Sequence, residues 1–180
     1  MRVTEEDLLE QAILERVAIQ DYHPEWPNMF ESEASRLFKL AAGRLNPIEH
    51  FGSTAVIGLS AKPIIDILAG VSSLAEADEL LPLLCSSGYS TSTEFNATLK
   101  DSRWLMRQEN GHRTHHLHLM VVGSENWQEK IRFRDILRED PLVRQSYIDL
   151  KRKLAAEFGA NREAYTTAKS DFVRDALKVG

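Results

Sequence analysis

The sequence predicts an α/β (α+β) fold, with a mixed β-sheet of about five strands flanked by helices and a helical extension at the carboxyl end. Residues 63–71, PIIDILAGV, form a near-continuous apolar run, which is typical of a strand covered on both faces. The middle of the chain contains three strand candidates, two of them joined by Asn110-Gly111, a strong hairpin signal. From Trp127 onward, apolar residues recur at helical spacing.

The predicted helices have apolar residues three and four positions apart. The first begins near Thr4, which has the spacing of a capping box with Asp7. Gly43 can end the second, and Pro141 and Gly159 separate the helices of the final third. The predicted helical segments are 4–16, 23–45, 74–85, 127–137, 141–158 and 161–179.

The predicted strands alternate apolar and polar residues or are continuously apolar. They cover residues 17–22, 48–52, 63–71, 89–99, 103–109 and 114–122. The chain contains no internal repeat and no linker-like segment. We therefore expect one domain over residues 1–180, with an extra helix at residues 1–16 and a helical tail at residues 127–180.

Composition narrows the range of functions. A chain of 180 residues is long enough for one substantial core. Its net charge of -5 and pI near 5.7 disfavour extensive contact with a nucleic-acid backbone, so DNA is not an expected partner. The single cysteine, Cys85, excludes an internal disulfide framework and a multi-cysteine zinc site. No leader opens the chain and no apolar run approaches about 18 residues, so we expect a cytoplasmic protein without a membrane segment.

Gly52, Ser53 and Asp66 form the first candidate site. A glycine lets backbone N–H groups approach phosphates, and Ser53 can donate its hydroxyl or cap a following helix. Twelve residues separate Ser53 from Asp66, which places the turn at one strand end and the carboxylate on the neighbouring strand. This layout resembles that of nucleotidyltransferases, in which an Asp-x-Asp or Asp-x-Glu pair holds a divalent metal over the phosphates. Leu68 occupies the second acidic position here, so a tight turn beside a core aspartate is the alternative.

A histidine cluster, RTHHLHLM at residues 113–120, forms the second candidate site. On a strand, His116 and His118 share one face with Met120, and such a pair can converge on one metal ion or phosphate. His50 could join them from an adjacent strand. The alternative is that one histidine bonds a backbone carbonyl while the other packs in the core.

Basic residues form the third candidate site. Lys62 directly precedes the strand that carries Asp66, where it can meet a phosphate. Tyr165 and Lys169 are four residues apart on the last predicted helix and share a face, and Tyr165 could stack on a base or bond a phosphate. Most other basic residues, Lys151 among them, are expected on solvated faces.

With these residues assembled, the chain resembles the GrpB family, small bacterial proteins related to the nucleotidyltransferase fold and also found fused to dephospho-coenzyme A kinase. The family usually has proline where Ile57 stands. The resemblance spans about residues 20–173, and its segments are DYHPEWPNMFESEASRL, IEHFGSTAVIGLSAKPIIDIL, RTHHLHLMVVGSENW, FRDIL and EAYTTAKSDFV.

The resemblance implies a nucleotidyltransferase-like core with a helical carboxyl-terminal extension. It also implies that the site residues are Gly52, Ser53, Lys62, Asp66, His116, His118, Tyr165 and Lys169. We expect catalytic roles for Asp66, His116 and His118, which are also the expected ligands of a possible divalent metal, Mn²⁺, Mg²⁺ or Zn²⁺. Mixed carboxylate and imidazole ligands favour Mn²⁺ or Zn²⁺ among these.

Two functions remain open from the sequence. The first is a nucleotidyltransferase-like protein that acts on or binds a nucleotide or another phosphorylated small molecule. The alternative is a non-catalytic nucleotide-binding or coenzyme A-binding regulatory module with a degenerate active site. Leu68, in place of a second acid, favours the alternative.

Overall fold

A mixed five-stranded sheet organises the computed structural model, which describes residues 4–179; residues 1–3 and Gly180 of the predicted domain lie outside the described part. The strand order is β1-β2-β5-β4-β3, in which β2 and β5 are parallel and the other neighbours antiparallel. The predicted sheet is therefore confirmed. The strands are β1 (Ile48–Phe51), β2 (Ile65–Val71), β3 (Tyr89–Ser90), β4 (Ser102–Glu109) and β5 (His112–Val121).

Helices cover both faces of this sheet. They are α1 (Glu5–Leu14), α2 (Trp26–Leu40), α3 (Leu74–Ser86), α4 (Thr93–Thr98), α5 (Glu125–Glu139), α6 (Pro141–Phe158), α7 (Arg162–Ala168) and α8 (Ser170–Val179). Apolar residues of α2 and α3 pack on one face and form the largest buried cluster. Trp127 of α5 packs on the opposite face against Phe51, Leu68 and Met120.

Alternation along the two central strands assigns their side chains to these faces. Ile65 and Ile67 of β2 belong to the cluster beneath α2 and α3. Asp66 therefore points to the α5 side, and the parallel register places it beside His116 of β5. Leu68 and His118 pair in the same way, two residues further along. The site residues of β2 and β5 thus share one face of the sheet.

One predicted strand is absent and another is shorter than predicted. Residues 17–22 do not form a strand and contribute one isolated bridge, between Gln20 and Ala61. Their alternation instead reflects the packing of Val17 and Ile19 against the carboxyl-terminal helices. In the segment 89–99, pairing ends at Ser90 and α4 follows, because the Ser92 hydroxyl accepts a hydrogen bond from the Phe95 N–H and caps that helix.

The last predicted helix is divided. Residues 161–179 form α7 and α8, and Lys169 is the residue that ends α7. The Asn110-Gly111 hairpin between β4 and β5 is confirmed. Among the residues that the structure describes, every helix is too short or too polar to cross a membrane.

Candidate functional site

A cavity of about 620 Å³ lies between the α5 side of the sheet and the helices α5, α6 and α7. Residues from β1, β2, β5 and the carboxyl-terminal helices line it. The structure brings together in its wall all eight site residues that the sequence singled out, Gly52, Ser53, Lys62, Asp66, His116, His118, Tyr165 and Lys169.

Gly52 lets the turn after β1 approach the carboxylate on β2. Its backbone has φ 70° and ψ -168°, a region that residues with a side chain scarcely enter. A Cβ at this position would lie 2.5 Å from Asp66 Oδ2. Ser53 follows as the first residue of a short 3₁₀ turn, Ser53–Ala55. The turn and the carboxylate are therefore in contact because residue 52 has no side chain.

Asp66 and His116 form a hydrogen-bonded pair. His116 Nδ1 lies 3.1 Å from Asp66 Oδ1, and since a carboxylate only accepts, Nδ1 is the donor. Burial lowers the pKa of His116 and outweighs the opposing effect of Asp66, so the imidazole is neutral near pH 7. The proton then resides on Nδ1, and Nε2, which is buried without a partner among the described residues, carries the lone pair.

Asp66 itself stays ionised. Burial would raise the pKa of this carboxyl group, but the hydrogen bond from His116 and the surrounding positive charge, Lys62 included, lower it to about 2. Asp66 is therefore a fixed negative charge in the cavity wall.

The two remaining predicted histidines differ in position. Burial, and secondarily the charge of Lys130, lowers the pKa of His118 to about 3, so this imidazole is neutral. His118 lines the cavity and packs edge-on against Phe51, with ring centroids 5.1 Å apart. His50 does not join them, because β1 directs it to the other face, where it stacks on Phe30 at 4.6 Å.

Tyr165 does not offer its ring to a base, contrary to one role predicted for it. The residue is 1% exposed. Lys62 Nζ lies 5.4 Å from the ring centroid and Lys169 Nζ lies 4.3 Å from it. Tyr165 thus holds two lysines at the cavity wall through cation–π contacts. Burial lowers the pKa of Lys169 to about 8.

Lys151 of α6 lines the cavity, whereas the sequence predicts it on a solvated face. Its side chain is buried, and Nζ donates hydrogen bonds to Ser53 Oγ at 3.1 Å and to the Ser60 carbonyl. Burial, and then the charge of Lys169, lowers its pKa to about 7. The signal was present in the helical spacing, since position 151 continues the buried face of Tyr147 and Leu154.

The loop after β1 is also held from its other side. Arg138 of α5 donates two hydrogen bonds to the Ala55 carbonyl, from Nε at 3.1 Å and from Nη2 at 3.0 Å. With the contacts that Lys151 makes to Ser53 and Ser60, three carbonyl or hydroxyl groups of one loop are held by basic side chains from two helices.

The cavity is basic although the chain is acidic. Seven lysine and arginine side chains line it against two carboxylates, while the whole chain has a net charge of -5. Arg113 and Arg162 bond the end of α1 at Ala12 and Glu15. Within residues 4–179, no ion pair joins the four cavity lysines to a carboxylate. These lysines are Lys62, Lys130, Lys151 and Lys169.

The described residues offer few ligands for a resident metal ion. Over the described residues, no group of three or more His, Cys, Asp or Glu side chains is placed to hold one. The Nδ1 atom of His116 is a donor to Asp66 and has no lone pair for a metal, so Nε2 is the nitrogen of this ring that could bind one. Leu68 is fully buried where a second acid would stand. Metal binding by Asp66 and the two histidines stays a prediction.

The chain is thus an α+β protein in which a Gly-Ser turn faces a strand aspartate in the wall of a basic cavity. The chain belongs to the GrpB family, because the family model described as "GrpB protein" matches residues 16–179. It is 34% identical over 163 residues to the glutamate-rich protein GrpB of Alkalihalophilus pseudofirmus, covering 89% of this chain and 94% of that protein.

A solved structure and a longer relative agree with this assignment. The crystal structure of conserved protein GrpB from Enterococcus faecalis matches with a TM-score of 0.78 and 32% identity, over 90% of this chain and 98% of that chain. A protein of Mycolicibacterium paratuberculosis named dephospho-CoA kinase is 30% identical over 177 residues. That match covers 86% of this chain and 44% of the longer protein.

Proposed function

We propose that this protein is nucleotidyltransferase-like and binds a nucleotide or another phosphorylated small molecule in the basic cavity. The observation that supports this most is the concentration of cations. Four lysines without carboxylate partners in the described residues surround the Gly52-Ser53 turn, inside a chain of net charge -5. Charge-assisted hydrogen bonds to a phosphate would satisfy them.

The lysines reach the cavity from different elements, so a phosphate chain can be held from several sides. Lys62 precedes β2, Lys130 lies on α5, Lys151 on α6 and Lys169 at the end of α7. The 3₁₀ turn at Ser53 adds backbone N–H groups and a hydroxyl. The role we assign to Asp66 is to orient His116 and to offset part of the lysine charge, since a carboxylate repels phosphate.

The Asp66–His116 pair supports a transfer reaction. In such a step an acceptor hydroxyl attacks phosphorus, the bond to the leaving phosphate breaks, and a base takes the hydroxyl proton. A neutral His116 whose Nδ1 proton is held by Asp66 has the Nε2 lone pair available for that proton. His118 lies two residues further along β5, on the same face of the sheet, where it pairs with Leu68.

A second candidate, a binding module without chemistry, is favoured by two observations. Leu68 is fully buried in the position of a second acid, and His116 Nε2 is covered by neighbouring atoms. Both functions use the same ligand site, and only turnover distinguishes them. Because relatives named dephospho-CoA kinase exist, adenine nucleotides and coenzyme A belong among the ligands to be tested.

Thermal stability in the presence of ligands tests the proposal. Wild type, Asp66→Ala, Lys62→Ala and the matched control Lys153→Ala, an exposed α6 residue, are measured with nucleoside triphosphates and coenzyme A. Each is repeated with Mn²⁺, Mg²⁺ or Zn²⁺. A ligand at 100 times its dissociation constant should stabilise the wild type by about 2.7 kcal/mol.

We expect Lys62→Ala to lose most of that stabilisation and Lys153→Ala to keep it. The absence of any shift in the wild type, or equal losses in the two lysine variants, would contradict the proposal. A shift that needs both metal and Asp66, together with product detected by phosphorus NMR, indicates a metal-dependent transferase. A metal-independent shift without product indicates the binding module.

A further inference from the structure

One end of the cavity carries an aromatic surface that the phosphate site does not use. Trp104 of β4 and Phe95 of α4 both line the cavity. Their rings meet edge to face, with centroids 5.7 Å apart. Phe95 is 47% exposed, Trp104 is half-buried, and the Arg113 guanidinium lies 5.9 Å from the Trp104 ring centroid.

The position of this surface is set by buried hydrogen bonds. Asn96, next to Phe95, is 5% exposed and its Oδ1 accepts the Trp104 backbone N–H at 2.8 Å. Its Nδ2 donates to the Trp104 carbonyl at 3.3 Å and to Thr91 Oγ1 at 2.8 Å. Asn96 therefore ties α4 to β4 beside the two rings.

Contacts continue from this surface to the Gly-Ser turn. The Trp104 and His116 rings have centroids 5.4 Å apart, and His116 bonds Asp66. Asp66 in turn touches Gly52. The register also places Trp104 opposite His118 on the same sheet face. The aromatic surface and the lysines therefore line one continuous cavity.

We infer that Trp104 and Phe95 form the subsite for a planar aromatic ring of the ligand, the base of a nucleotide whose phosphates lie at the Gly52-Ser53 turn. This inference rests on the proposed function. All nucleobases can stack on tryptophan and phenylalanine rings, because each base has a flat π-face. An arginine above the ring adds a cation–π contact. Tyr165, the aromatic residue nearest the lysines, is too buried to serve in this way.

The subsite is tested with two kinds of probe, triphosphates that carry a nucleoside and a triphosphate that carries none. Nucleoside triphosphates (ATP, GTP, CTP and UTP) and inorganic tripolyphosphate are titrated by calorimetry into wild type, Trp104→Leu and Trp104→Phe. We expect Trp104→Leu to weaken nucleotide binding by roughly five-fold to 150-fold, the range of one base stack, and to change tripolyphosphate binding less than two-fold. Trp104→Phe should keep most of the nucleotide affinity.

Fluorescence gives a second readout that does not depend on the stability of a variant. The chain has three tryptophans, and Trp26 and Trp127 are 2% and 8% exposed, so a stacked base should quench Trp104 selectively. We expect quenching by nucleotides but not by tripolyphosphate, and its loss in Trp104→Phe.

The possible failures are distinguishable. If tripolyphosphate binds while nucleotides bind no better in wild type than in Trp104→Leu, the ring subsite is wrong and the phosphate site stands. If Trp104→Leu weakens both probes equally, the residue acts through the fold and the subsite is again wrong. If neither probe binds the wild type, the proposed function fails and the subsite fails with it.

Discussion

Gly52 sets the distance between the turn and the carboxylate. Its positive φ with ψ near 180° is a conformation that essentially only glycine adopts, and Asp66 occupies the space where a Cβ would be. Two independent costs therefore oppose any side chain at this position. Gly58, six residues further along the same loop, also has a positive φ but faces open space.

We predict that Gly52→Ala destabilises the protein by more than about 3 kcal/mol, because backbone strain of about 1–3 kcal/mol adds to the overlap with Asp66. Gly58→Ala should cost about 1–2 kcal/mol, from the backbone alone. Urea denaturation of the two variants measures the difference. Equal losses would show that Asp66 can move away from residue 52 without cost.

At the scale of single residues, the sequence predicts which side chains meet but not how exposed they are. The eight predicted site residues share one cavity because the family motif specifies them together. Lys151 is assigned to the wrong environment, since a lysine on an amphipathic helix ordinarily keeps its charged tip in solvent. Trp104 is missed because its place beside His116 depends on the β4–β5 register, which no local pattern shows.

At the scale of elements, strand β2 combines a site residue with core packing. Asp66 faces the cavity, and two residues later Leu68 is fully buried among Phe51, Met120 and Trp127. The packing of α5 on the sheet therefore depends on an apolar residue at this position.

We predict that Leu68→Asp destabilises the protein by more than about 3 kcal/mol, because it buries a carboxylate without a partner. The matched control Leu68→Met preserves volume and should cost less than about 1.5 kcal/mol. Denaturant midpoints and slopes compare the two. The prediction is wrong if Leu68→Asp is as stable as Leu68→Met, and a new metal-dependent stabilisation would show that the strand accepts a second ligand.

The elements themselves are predicted well where periodicity is long and poorly where segments are short. The helices α2, α3, α5 and α6 and the strands β2, β4 and β5 follow from their patterns. Residues 17–22 alternate like a strand but pack against helices, and the Ser92 cap converts part of 89–99 into α4. In both places a tertiary contact or a single side-chain hydrogen bond outweighs local propensity.

At the scale of the whole molecule, Lys151 couples the helical tail to the sheet. Its Nζ bonds the loop between β1 and β2 from α6, and burial lowers its pKa to about 7. An unfolded lysine has a pKa near 10.4. Between pH 7 and about 10.4, the Lys151 side chain is protonated in the unfolded chain and largely neutral in the folded protein. The free energy of unfolding therefore rises with pH in this range.

We predict that the free energy of unfolding of the wild type rises between pH 7 and 10 by up to about 1.4 kcal/mol per pH unit relative to Lys151→Met. The variant has no group at this position to titrate. The exposed Lys153→Met should follow the wild-type slope. Urea denaturation across this pH range gives the comparison, and parallel curves for wild type and Lys151→Met would show that Lys151 stays protonated when buried.

Side chains from two helices hold the loop after β1 in place. Lys151 holds Ser53 and Ser60 from one helix, and Arg138 holds Ala55 from another. The conformational entropy of this loop is therefore lost when the chain folds and not when a ligand arrives. Preorganisation of this kind leaves more of the contact energy available as affinity. For the proposed ligand, we therefore expect association to be limited by encounter and orientation instead of by closure of this loop.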